Sequence, residues 1–439
     1  MTSLRSTIKA KWFTTKPLLA MAVQLSLNQM ARRVLLVTDT AFLGRLGTKE
    51  LAGVALANLW INVPFNFVQY AIPAITILCS QAFGAKQYHE MGIWYQTSIV
   101  FAMLCCIPVG LIHLFVGDLI SISMNDTDTI HFGNMYGWVM ATALVPRFLF
   151  TRVCITMVLN VVLNQVFIYG VGSWNGLGFI GSPLATVVSS YVQVILFCLY
   201  TITWKQYHGP YWNGWCRDSY SWKYMVKFLV LAMPMGSSSA VDWLSLTVAG
   251  MFLGTLAPEV SAANAVLFGL FGVVYACISG FAAATQIFMS RSIGECNLPN
   301  AKLILIQGTL LMIALSAILI AIIAVFQEQT FGLWSKDSKL CSETLFQFLL
   351  CIELIFLRFL LSACANAVDL SQRSFYINNL GAWAVFAPLT YVFVIPLKWG
   401  LEGYWIANSL GECIKVALLL FSLMRKKWLP TSEKPESAV

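Results

Sequence analysis

Apolar residues follow one another along this chain in runs of about twenty, each closed by a short polar or basic connection. Strict alternation, the mark of half-buried strands, is not the dominant pattern. The runs predict twelve helices over 18–44, 52–80, 92–116, 133–150, 153–170, 182–204, 223–254, 260–288, 302–326, 341–367, 375–397 and 402–424. Proline and glycine inside them are tolerated, because neighbouring helices in a membrane re-satisfy the freed backbone groups. The fold class expected is all-α, a polytopic membrane protein of about twelve transmembrane helices.

The chain also matches itself. At an offset of 210, Phe42-Leu-Gly44 aligns with Phe252-Leu-Gly254, and Ser80-Gln-Ala-Phe-Gly84 with Ser290-Arg-Ser-Ile-Gly294. Later, Gly178-Phe-Ile-Gly181 aligns with Gly400-Leu-Glu-Gly403, now at an offset of 222. An even number of helices per copy relates the halves by an axis along the membrane normal. Two pseudo-symmetric six-helix lobes around a central cleft are therefore expected, an arrangement that suits a carrier. Their limits are a cytoplasmic N-terminal tail 1–17, an N-terminal lobe 18–204, a cytoplasmic inter-lobe loop 205–222, a C-terminal lobe 223–424 and a cytoplasmic tail 425–439. The change of offset leaves the first copy 12 residues short, between His131 and Gly170. Two spans of about 20 residues use up that segment, so helices 4 and 5 should be short and joined near Pro146-Arg147. One long kinked element is the alternative.

Composition and charge sharpen this. Of 439 residues, 59% are hydrophobic and 10% charged, and the net charge is +8. A soluble domain carries about 25% charged residues. The basic residues sit singly between apolar runs, so no nucleic-acid surface is predicted. With the N-terminus inside, 18 Lys and Arg fall in inside segments and 5 in outside segments. Both termini are expected in the cytoplasm, and the plasma membrane and a vacuolar membrane both remain open. The first 16 residues show no cleavable signal pattern. The Asn125-Asp-Thr127 sequon falls in an outside loop.

The 12 cysteines lie mostly inside apolar runs without a Cys-x-x-Cys pair, and read as packing residues. The four histidines, His89, His113, His131 and His208, have no ligand spacing. No phosphate-binding Gly-x-x-x-x-Gly-Lys-Ser/Thr loop is present. No enzyme, metal site or cofactor is expected. A membrane enzyme would need a clustered constellation that is not visible.

Asp39-Thr-Ala-Phe-Leu-Gly-Arg-Leu-Gly47, Glu50-Leu-Ala-Gly53 and Cys79-Ser-Gln-Ala-Phe-Gly-Ala-Lys86 resemble the multidrug and toxic compound extrusion (MATE) family, eukaryotic-like. Asp242-Trp243 and Asn379-Leu-Gly-Ala-Trp383 add to the resemblance, which runs over almost the whole chain. It implies antiport of organic, cationic or amphipathic compounds against H+ or Na+ by alternating access. The expected partners are small organic substrates and the bilayer, and the expected state is a monomer. Two departures mark a divergent or impaired member. The Gln-containing segment between helices 4 and 5 is missing, and the Val-Leu-Arg-Gly stretch reads Ser362-Ala-Cys-Ala365.

A carboxylate in a membrane helix is costly and marks function by default. Asp39 is the leading candidate for proton or cation coupling, and the resemblance places Asn160, Asn164 and Thr186 with it. Asn164 stands where relatives often carry a second Asp. A merely solvated Asp39 and plain interhelical hydrogen bonding by the Asn pair are the plainer readings. For substrate binding, the resemblance points to Asp242 with Trp243, and to Glu353. A second acid of the family reads Thr247 here. The plainer reading of Asp242 is a structural ion pair. Glu412 and Lys415, at i and i+3, are placed to pair. Arg32, with Arg33 beside it in mid-helix, is the repeat counterpart of Asp242, seven residues before Asp39. It is expected to line the cleft opposite Asp242, act on Asp39 and pair with Asp242 in one conformational state; snorkelling or contact with backbone carbonyls is the plainer alternative. The aromatics Trp60, Phe65, Phe67, Tyr70, Phe268, Phe271 and Tyr275 read as packing. A lipid or glycolipid flippase of similar build is the nearer functional alternative, kept open by Arg32 and Arg33.

Overall fold

The computed structural model describes residues 2–122, 125–149, 155–256, 258–332 and 339–426. These residues are helical almost throughout, with no β-sheet among them. The first half runs α1 (Thr2–Leu46), α2 (Thr48–Ala71), α3 (Ala74–Gly84), α4 (Tyr88–Leu114), α5 (Val116–Ser121), α6 (Thr127–Ala141), α7 (Leu144–Leu149), α8 (Ile155–Tyr169) and α9 (Gly181–Cys198). The second half runs α10 (Trp222–Gly254), α11 (Pro258–Gly294), α12 (Leu298–Val325), α13 (Gln327–Gly332), α14 (Lys339–Glu343), α15 (Leu345–Ala367), α16 (Ser371–Asn379), α17 (Ala387–Val394) and α18 (Gly400–Arg425).

Each of the twelve predicted passes falls on helix. Among the described residues, nine stretches are long and apolar enough to cross a bilayer. The other three passes depart from that standard for visible reasons. The first, α1, carries Arg32, Arg33 and Asp39 among its apolar residues. The fourth is broken between α6 and α7 at Thr142-Ala143. The fifth, α8, has 15 residues, about 22 Å of helix against a hydrocarbon core of about 30 Å. Pro146 and Arg147, where the junction was expected, lie in α7, and residues 150–154, with Arg152, lie outside the described residues.

The repeat survives in backbone geometry. Gly178 and Gly400, 222 residues apart, have φ of +59° and +57°, a left-handed conformation that glycine adopts without strain. Lys86 and Cys296, 210 residues apart, close equivalent turns at φ of +61° and +57°. In each turn the glycine two residues earlier ends its helix, and the turn amides bond back to the helix carbonyls.

By their contacts the residues form two compact units. One, the C unit, holds Met233–Val439 together with Met1–Gln29 and Thr76–Lys86. The other, the N unit, holds Met30–Ile75 and Gln87–Ala232. These limits differ from the lobes read from the sequence, since the division cuts α1 between Gln29 and Met30 and gives 76–86 to the C unit. In the C unit α11 packs on α12 and α15, and α15 on α18, around buried Phe348, Phe356, Tyr404 and Trp405. The glycines of these helices permit close crossings. A Cβ on Gly280 would lie 2.3 Å from the Ala22 carbonyl of α1. In the N unit α2 packs on α6, and α8 on α9. Phe65, Val68, Ala102, Val109, Leu144 and Phe148 form one of its apolar clusters.

Candidate functional site

The N unit gathers the three residues expected around Asp39. From α8, the Asn164 amide donates to Asp39 Oδ1 at 2.8 Å. From α9, the Thr186 hydroxyl donates to Asp39 Oδ2 at 3.0 Å. The Asn160 amide donates to Thr186 Oγ1 at 3.4 Å, and the Asn164 amide also reaches Asn160 Oδ1 at 3.0 Å. The i, i+4 spacing of the Asn pair puts both on one helix face, and both are fully buried. The donors that meet Asp39 directly are neutral, one on each oxygen. Asn164 Oδ1 is buried with no hydrogen-bond partner. A carboxylate held in this way has a defined pocket in which it can gain or lose a proton.

Arg147, inside the predicted fourth span, is half-buried on α7. Its guanidinium lies 4.1 Å over the Phe65 ring. Its charge acts on Asp39 and on Tyr136. Arg147 is thus a cation whose field reaches Asp39. Arg32 itself donates from Nη2 to Gln69 Oε1 at 2.7 Å. The sequence signal for Arg147 was its place in the shortened helix 4/5 segment.

The C unit holds a second charged site. Asp242 on α10 accepts from Arg358 Nη2 at 3.1 Å and from Lys415 Nζ at 2.9 Å. Glu412 on α18 accepts from Arg358 Nε at 2.6 Å and from Lys415 Nζ at 2.8 Å. The Glu412–Lys415 pair expected from i, i+3 spacing is present, as one edge of a closed ring of two carboxylates and two cations. The side chains of Glu412, Lys415 and Arg358 are 3%, 3% and 6% exposed, and that of Asp242 is 16% exposed. The motif glycine Gly381 makes room for the ring. A Cβ there would lie 2.4 Å from Lys415 Cγ, in a wide π-type turn over Leu380–Phe386.

This arrangement changes the reading of the substrate candidates. Asp242 is paired with Arg358 and Lys415. Trp243 is 42% exposed while Asp242 turns inward. Adjacent helix residues point about 100° apart, so the carboxylate and the indole do not face one ligand position together. Glu353 stands apart from Arg358 on α15. Its carboxyl neighbours Ser316 of α12, and its Oε2 is buried without a hydrogen-bond partner. Thr247 bonds back to the Trp243 carbonyl at 3.0 Å. Phe271, Tyr275 and Phe359 pack on one another. No group of three or more potential metal ligands occurs among the described residues.

Membrane-length apolar helices around buried, hydrogen-bonded carboxylates are the build of a multi-pass membrane transporter. Residues 25–171 and 234–392 match the MatE family model, well over half of the chain, and the chain belongs to that family. It is 26% identical over 411 residues to Protein DETOXIFICATION 18 of Arabidopsis thaliana, covering 89% of this chain and 87% of that one. It is 24% identical over 456 residues to Multidrug and toxin extrusion protein 1 of Xenopus tropicalis, covering 97% of this chain and 77% of that one. The crystal structure of the eukaryotic MATE transporter AtDTX14 superposes with a TM-score of 0.83 at 20% identity, covering 94% of this chain and 97% of that one. An outward-facing conformation of a MATE transporter of the MOP superfamily also gives 0.83, at 18% identity, covering 94% and 95%. The protein is thus a membrane-embedded efflux transporter of the MATE fold and not an enzyme.

Proposed function

We propose that this chain is a proton-coupled antiporter that exports amphipathic organic compounds by alternating access, with Asp39 as its coupling carboxylate. The observation that carries the reading is the Asp39 pocket, where Asn164 and Thr186 each supply one neutral donor to a carboxylate inside a membrane helix. Proton binding neutralises Asp39 and turns one of its oxygens into a donor, so the donor facing that oxygen must turn away. Proton release restores the anion and the bonds. That exchange gives two local arrangements, which is what coupling to an ion gradient requires.

A proton fits this pocket better than sodium. Asp39 is its one carboxylate, and Asn164 adds no second negative charge. The names of the curated relatives, multidrug and toxin extrusion proteins, support organic efflux. The 18-to-5 bias of basic residues supports cytoplasmic termini. The test is uptake of a fluorescent amphipath into proteoliposomes under an imposed proton gradient or an imposed sodium gradient. The proton gradient is expected to drive uptake in the wild type and not in Asp39→Asn. Uptake driven by sodium alone would overturn the proton assignment.

A further inference from the structure

The ring in the C unit bears on which compounds are carried. Asp242 and Glu412 contribute two negative charges, and Arg358 and Lys415 two positive ones. Each of the four carboxylate oxygens already has a cationic donor, at 2.6 to 3.1 Å. An organic cation arriving at Asp242 would have to displace two cations held by charge-assisted hydrogen bonds. A quaternary ammonium has no N–H with which to replace them. It would also leave Arg358 and Lys415 uncompensated in a buried position, which is strongly unfavourable. The nearest other titratable groups, Tyr275 and Cys351, add no fixed negative charge in their ordinary neutral forms.

We infer that Arg358 and Lys415 are specificity-determining residues that withhold the Asp242 and Glu412 carboxylates from organic cations, so that this site selects no positive charge and the transporter accepts neutral and zwitterionic amphipaths as readily as cationic ones. The inference deepens the efflux reading and rests on it for the word substrate. The ring itself can be tested without transport.

The experiment is equilibrium binding to the purified full-length protein in detergent, with no gradient. The probes are an N-methylated styrylpyridinium dye and its uncharged styrylpyridine parent, at alkaline pH. The wild type is expected to bind the two with similar affinity. Asp242→Asn leaves the ring with one excess positive charge and should disfavour the cationic dye, never favour it. Lys415→Gln leaves the ring with one excess negative charge and should favour the cationic dye by about tenfold or more. Lys415→Arg should return the ratio to the wild-type value. Thermal melts identify variants that fold. If Lys415→Gln does not fold, the charge-balanced Asp242→Asn/Lys415→Gln pair should still show the wild-type ratio. A wild type that prefers the cationic dye about tenfold, and loses that preference in Asp242→Asn, would overturn the inference. So would a folded Lys415→Gln with an unchanged ratio. Loss of transport with these binding ratios intact would count against the antiport reading alone.

Discussion

Gly84 and Gly294 occupy equivalent positions on the two sides of one helix crossing. A Cβ on Gly84 would lie 2.1 Å from the carbonyl oxygen of Arg291, and a Cβ on Gly294 would lie 2.0 Å from that of Gln81. The two glycines are 210 residues apart, and so are Gln81 and Arg291. The internal repeat therefore meets itself, copy against copy, at backbone contact within the C unit. Close backbone approach at small residues is a main source of helix association in membranes.

Substituting either glycine should be costly, because the obstacle is backbone and cannot rotate away. Gly84→Ala and Gly294→Ala are each expected to destabilise by about 1–3 kcal/mol. Gly250, with nothing within 4 Å of an added Cβ, is the control, and Gly250→Ala should stay within about 0.5 kcal/mol. Thermal melts of the detergent-solubilised protein distinguish the two cases.

The ion ring predicts strong non-additivity. Removing one member leaves an uncompensated buried charge, at about 3–5 kcal/mol. Asp242→Asn alone and Lys415→Gln alone should therefore both be markedly destabilised. The double variant should be clearly less destabilised than the sum of the two, and a double-mutant cycle measures the difference. Gly381→Ala should move the melt in the same direction, because its methyl would strike the Lys415 stem.

Asn164 governs the character of the Asp39 pocket. Asn164→Ala deletes the 2.8 Å donor to Asp39 Oδ1 and should slow gradient-driven transport while leaving the protein folded. Asn164→Asp brings a second carboxylate to the pocket and should make transport responsive to sodium. Transport rates at fixed proton gradient, with and without sodium, check both outcomes.

Outside the membrane helices, Asp126 caps α6. Its carboxylate accepts from the Thr129 hydroxyl at 2.5 Å and from the Thr129 amide at 3.3 Å, with Lys49 Nζ 3.6 Å away. The Thr129 hydroxyl, first, and then the amide and Lys49 hold its carboxyl below the ordinary carboxylate value. The cap thus stabilises α6 fully above the unfolded pKa of about 3.9 and is lost as pH falls through the lower folded value. Asp126→Ala should lower the melting temperature at neutral pH. The gap from wild type should close in acid.

Much of this was legible in the sequence because local pattern carries it. Twelve apolar runs predicted twelve helical passes. The two repeat offsets reappear in the matched backbone angles of Gly178 with Gly400 and of Lys86 with Cys296. The Asp39, Asn160, Asn164 and Thr186 group was named from family resemblance and is contiguous in the structure. The ring was legible only along its one local edge, Glu412 to Lys415. Its other edges join residues 54, 116 and 173 positions apart, and no helical periodicity reports such contacts. Arg147 stands beside the expected junction of helices 4 and 5, and no local pattern reports its contact with the Phe65 ring.

Proton release on substrate binding tests the central claim most directly. An amphipathic substrate added to the purified protein in weakly buffered detergent solution should displace protons from Asp39, seen with a pH-sensitive dye. The account predicts release from the wild type that grows with substrate concentration and saturates, and none from a folded Asp39→Asn. Equal release from Asp39→Asn would contradict it and place the coupling proton on another residue.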